Sequence, residues 1–141
     1  MERVYIFDKG DEEKLKKLLS YDPYTDPSII PPGRGDDPER EKAIKANMEK
    51  LANDDPLYDV IFARQEYSIR DGASLGLDEN KIYLYIKANE DFIAKAELKL
   101  KKNFESFKRA SLEEEQKVIA YIKDEQERSN AGFGMIFGGG Q

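Results

Sequence analysis

The stretch KIYLYIKA, from Lys81 to Ala88, alternates without a break. Ile82, Leu84 and Ile86 fall on one side of an extended chain, and Tyr83 and Tyr85 fall on the other. A helix would scatter these residues around its circumference, so the stretch predicts a β-strand. A strand needs a partner. LYDVIFARQEYSIR, from Leu57 to Arg70, is also β-rich, although ambiguous at its start, and the turn-rich DGASLGLDEN separates the two. Together they predict an antiparallel hairpin with a long loop. RVYIF, from Arg3 to Phe7, predicts a third, buried strand.

Capping residues mark the helices. Asp11 precedes one that carries Leu15, Leu18 and Leu19 on one face, with Glu12 and Glu13 in its first turn. Asp37-Pro38 opens a second, which should stop near Asn53. Asn89 opens a third, with Ile93, Ala96, Leu100, Phe104 and Phe107 along one stripe. Ser111 and Glu114 form a capping box for a fourth, which should end near Asn130. Between the first two helices, YDPYTDPSIIPPGRGDD reads as loop, because each X-Pro step disfavours helix.

The order is β-α-α-β-β-α-α-tail. It predicts an α+β fold: a small two-layer sandwich of about three strands and about four helices, with the helices mostly on one sheet face. Residues 1–130 form one domain with a Pro/Gly-rich loop at 20–36, and residues 131–141 form a glycine-rich apolar tail. The third and fourth helices carry opposite charge. Lys95 to Arg109 has six basic and two acidic residues, whereas Glu113 to Glu127 has six acidic and two basic. That complementarity predicts an antiparallel helix pair.

Composition excludes much chemistry. The 141 residues hold no Cys, His or Trp. There is no Ser-His-Asp triad, thiol nucleophile or His base, and no Cys/His zinc or haem site. A metal would need oxygen ligands, which favours Mg²⁺, Mn²⁺ or Ca²⁺. The net charge of −6 argues against nucleic acid as a partner. No leader or membrane-spanning run is evident, and with no disulfides the cytoplasm is the expected location. The Lys/Glu-rich, Cys-free composition fits a thermophile.

Four stretches are candidate sites. Gly33, Arg34 and Gly35 precede a helix N-terminus and form a candidate anion site, although Asp36, Asp37 and Glu39 sit where the anion would bind. The stretch lacks the Gly-Lys-Ser/Thr ending of a P-loop. Asp55 and Asp59 lead a group of carboxylates that includes Glu66, Asp78 and Glu79. They are candidate metal ligands, with a solvated surface as the plainer reading. Tyr83 and Tyr85 form an aromatic sheet face, to be covered by a helix, a partner subunit or the tail.

The fourth is the strip SNAGFGMIFGGGQ, from Ser129 to Gln141. Read as extended, it turns Phe133, Met135 and Phe137 to one side, next to Ile136. It is no dinucleotide fingerprint, since the third glycine is misplaced and no helix follows. Exposed, it would be a sticky patch. It can dock on its own domain, dock on a neighbouring subunit or partner, or stay disordered.

These features predict a small cytoplasmic interaction or regulatory module. It would need no cofactor, act through protein contacts and form a homodimer. The alternative is an Mg²⁺- or Mn²⁺-dependent enzyme that uses Asp and Glu, with the 20–36 loop as a lid.

Overall fold

The computed structural model describes the backbone of residues 1–138 and the side chains of residues 1–131. The strands are β1 (Glu2–Asp8), β2 (Glu66–Asp71), β3 (Lys81–Lys87) and β4 (Lys108–Arg109). The helices are α1 (Glu12–Ser20), α2 (Pro38–Asp54), α3 (Gly72–Leu75), α4 (Glu90–Asn103) and α5 (Leu112–Gly138). One sheet holds the strands in the order β2-β3-β1-β4, and every pairing is antiparallel. The class is α+β, and the expected β2–β3 hairpin is present.

The alternation of β3 sorts the core into two. On one face, Ile82, Leu84 and Ile86 join Tyr5 and Phe7 of β1, beneath Leu15 and Leu19 of α1 and Ile93, Ala96 and Leu100 of α4. Phe7 meets Phe104 edge-on at 5.1 Å between ring centroids. On the other face, Tyr83 and Tyr85 join Val4 and Ile6, beneath Leu75 of α3 and Val118 and Ile122 of α5. Each large apolar side chain removed from water contributes about 1.5–3 kcal/mol, so neither face could be left bare.

This arrangement corrects two expectations. Helices cover both faces of the sheet, which makes three layers where the sequence predicts two. α4 and α5 do not pair as a hairpin, because they lie on opposite faces. The cause is β4. α4 stops at Asn103, short of Phe107, and Lys108 and Arg109 leave the basic run to pair with Ile6 and Tyr5 of β1. That crossing carries the chain round the sheet edge before α5 begins.

The caps act largely as their residue types imply. Asp37 Oδ1 accepts from Glu39 N and Arg40 N, Asn89 Oδ1 accepts from Phe92 N, and Ser111 and Glu114 exchange the two bonds of a capping box. Asp11 takes the N-cap position of α1 but makes no side-chain cap bond. Its carboxylate accepts from the Ser106 hydroxyl instead. Residues 57–65 are not strand. They form turns that push Val60, Ile61 and Phe62 into the interior. α2 buries no residue. It is tied to the preceding loop through Asn47 Nδ2 to Ile29 O, 3.0 Å, and Arg40 Nε to Pro31 O, 2.8 Å.

The two sheet edges differ. On the outer side of β1, the Val4 amide donates to Glu115 Oε1 at 3.1 Å, the middle of the strand pairs with β4, and the Asp8 amide donates to Ser106 Oγ at 3.1 Å. β2 forms the opposite edge. Among the described residues it has no backbone partner on its outer side.

Candidate functional site

α5 is the element around which the candidate surfaces gather. Its first half is bound to the sheet. Glu115 is buried and caps β1, Val118 and Ile122 are buried on the tyrosine face, and Lys117 Nζ donates to Gly76 O at 3.1 Å. Lys123 faces Glu2, and Glu125 accepts from Arg70 Nε of β2 at 2.8 Å. Past Glu125 every described side chain, Gln126 to Ala131, is exposed. The backbone stays helical to Gly138, beyond the expected end near Asn130. The side chains of Phe133, Met135, Ile136 and Phe137 lie outside the described residues.

Tyr83 and Tyr85 are 1% and 4% exposed. Of the three covers expected for them, a helix is the one present. α5 covers their face, and beside it Tyr83 borders a hollow of about 170 Å³ with Ile6, Asp78 and Lys108. Tyr5 and Tyr67 turn to the opposite, α1/α4 side. The Tyr85 hydroxyl donates to Glu2 Oε2 at 2.6 Å, and this bond, ahead of the Lys123 charge, holds Glu2 below the usual carboxylate range. The Tyr5 hydroxyl donates to Glu97 Oε1 at 2.7 Å.

Burial first, and then the carboxylate partner, raises both phenols well above their ordinary value. The sign of the consequence is fixed. An unfolded tyrosine releases its proton near pH 10, whereas the native chain retains it. Stability is therefore whole below pH 10 and falls as pH rises above it. Urea unfolding from pH 8 to 11 should show this decline. For Tyr5 the slope is about 1.4 kcal/mol per pH unit, and Tyr5→Phe should flatten it. The tyrosinate absorbance that Tyr5 contributes, read as the difference from Tyr5→Phe, should rise together with unfolding rather than ahead of it.

Gly33, Arg34 and Gly35 are exposed. The α2 amides at positions 39 and 40 are already taken by Asp37. Arg40 packs across Gly33, where a Cβ would lie 2.6 Å from its Cδ. Asp55 is committed as well: Oδ1 accepts from Leu57 N at 3.0 Å, and Oδ2 faces Lys99 Nζ at 3.7 Å. Asp59 adds to the negative field at Lys99. Among the described residues, no three carboxylates converge as metal ligands.

Lys99 escaped the sequence reading. It lies on the buried face of α4, 7% exposed, and donates to Leu57 O at 3.0 Å and Val60 O at 3.2 Å. Burial lowers its pKa against the opposing pull of Asp55. The available signal was a lysine three residues after Ala96 and beside Leu100, on the apolar stripe itself. Ser106 was missed too. It sits in a hollow of about 470 Å³ with Asp8, Asp11, Lys14 and Lys102. Ser106 bonds to Asp11 and the Asp8 amide, Lys14 to the Asn103 carbonyl, and the Asp8 carboxylate to Lys81.

No described helix is long and apolar enough to cross a membrane. Comparison with family models, with curated proteins and with solved structures yields no match for the chain.

Proposed function

We propose that this chain is an interaction or regulatory module that works through protein contacts, with α5 presenting the apolar strip to a partner. The supporting observation is the exposed run from Gln126 to Ala131. At ~1.5 Å per residue, α5 continues roughly 20 Å past Glu125, its last described attachment to the body. Phe133, Met135, Ile136 and Phe137 follow on that extension. The tyrosine face is covered by α5, which favours docking on a second copy or another protein over docking at home. Gly132, Gly134 and Gly138 each cost a helix about 1 kcal/mol relative to alanine, so a receiving groove would stabilise the extension it binds. The expected setting is the cytoplasm, with homodimerisation one outcome of such contacts.

Truncation after Asn130 tests this reading. No described side-chain contact is lost, so the melting temperature should hold while self-association or partner binding is lost. A clear drop in the melting temperature of a monomer would place the strip on its own core. If stability, oligomeric state and binding are all unchanged, the proposal fails. Each aromatic ring that docks fully should contribute about 1.5–3 kcal/mol.

A further inference from the structure

The open edge of β2 is matched in charge and shape to its own reverse. Its residues Glu66, Tyr67, Ser68, Ile69 and Arg70 are self-complementary about Ser68. We propose that β2 pairs antiparallel with β2 of a second copy, in the register that sets Ser68 opposite Ser68. Glu66 then faces Arg70 of the other copy, and Tyr67 faces Ile69, each twice. Opposite charges, and aromatic rings beside β-branched residues, are the favourable cross-strand pairs.

The alternatives are poorer. A shift of one residue sets Glu66 against Asp71 and turns the second sheet over, so that core-facing residues meet polar ones. A shift of two sets Glu66 opposite Ser68, or Tyr67 opposite Asp71, and loses both ion pairs. Only the Ser68-centred register matches charge with charge.

The structure leaves room for this pairing. β2 is the end strand of the sheet, and among the described residues no backbone group bonds to its outer side. Glu66 is exposed. Arg70 spends Nε on Glu125 and Nη1 on Ile69 O, and a guanidinium has further donors for a second carboxylate. Tyr67 and Ile69 already pack, half-buried, against the α1/α4 core, and pairing would extend that core across the two-fold axis. An edge of this length otherwise exposes unpaired amides and carbonyls to any passing strand. This inference shares with the preceding section only the premise of protein contacts. It uses a different surface, so the two fail separately.

The natural chain has no cysteine, so a single one reports cleanly. Directly opposed residues of an antiparallel pair have Cα atoms ~4.5–5.5 Å apart, within the ~4.4–6.8 Å that a disulfide spans. Ser68→Cys should therefore give a disulfide-linked dimer under mild oxidation. Glu66→Cys should not, because its own copy lies about 13 Å away at ~3.3 Å per residue. Without any cysteine, the full chain should sediment as a dimer. Glu66→Arg should weaken that dimer at least about tenfold while the circular dichroism stays native, since it replaces two ion pairs by two repulsions. Cross-linking of Ser68→Cys should survive truncation after Asn130. A full chain that sediments as a monomer, or cross-linking of Glu66→Cys as readily as Ser68→Cys, would overturn the proposal.

Discussion

Gly72→Ala should be the most damaging glycine-to-alanine change among the described residues. A Cβ at Gly72 would lie 1.7 Å from the Asp78 carbonyl oxygen and 2.6 Å from its carbon. The obstacle is backbone, so no side-chain rotation relieves it. Gly72 also accepts from Leu77 N at 2.8 Å, so this close approach is what closes the β2–β3 connection. A methyl there must separate the two segments and withdraw Leu75, 5% exposed, from beneath α5. Overpacking costs ~1–3 kcal/mol where side chains can yield, and here they cannot. The expected loss is therefore about 3 kcal/mol or more. Urea denaturation should show a midpoint lowered by about 1.5 M or more at unchanged slope. Two controls calibrate it. Gly76 has φ +68° and should lose about 1 kcal/mol on substitution by alanine. Gly10 has nothing within 4 Å of its would-be Cβ and should tolerate alanine. A Gly72→Ala protein as stable as Gly10→Ala would refute the close approach.

Lys99→Met should have the second largest effect. Methionine keeps the length and packing of the stem but removes the donor. Val60 O then loses its donor, whereas Leu57 O keeps the Val60 amide at 3.1 Å, and an orphaned buried acceptor costs about 1–3 kcal/mol. Relief from burying the ammonium offsets part of this. Asp55 is left without its cation but is about one-third exposed and keeps its bond to Leu57 N. The expected net loss is about 1–2 kcal/mol, with faster amide exchange confined first to residues 57–62. The pH dependence carries a signature. The native lysine releases its proton earlier than the unfolded one, whose value is about 10.4. Through the window below that value the unfolded chain holds more protons, so wild-type stability gains as pH rises. Methionine has no such gain, so the gap between the two proteins should widen as the solution approaches pH 10. A gap that narrows would mean that Lys99 is not the buried donor.

What the sequence disclosed was local. The alternation of Lys81–Lys87, the Asn89 cap and the Ser111–Glu114 box each depend on residues within one or two turns of each other, and each lies where it was read. What stayed hidden involves two distant bodies. β4 is two residues long and has no period to detect, yet it sends α5 to the face opposite α4. The complementary charges of the two helices were real, but they carried no information about which face each helix would take. Lys99 is buried where the distant Val60 carbonyl needs a donor, and Gly72 is glycine because Asp78 returns to touch it. The candidate site was less legible than the fold. Tyr83 and Tyr85 share one sheet face, as the alternation implies, and which element covers that face depended on that same unseen crossing. Asp55 has the residue type of a metal ligand, but its place at the end of α2 gives it to a turn and to Lys99.

The unequal edges of the sheet limit how far such a molecule can propagate. A sheet open on both sides can add copies without end, which is the geometry of a fibril. Here the β1 side is closed by three unlike chemistries: a carboxylate from α5, a two-residue strand and a serine hydroxyl. Among the described residues that leaves β2 as the long port, since the β4 edge is only two residues. Whatever joins through β2 uses that port up on both molecules, so edge pairing ends at two copies with a closed two-fold axis rather than a filament.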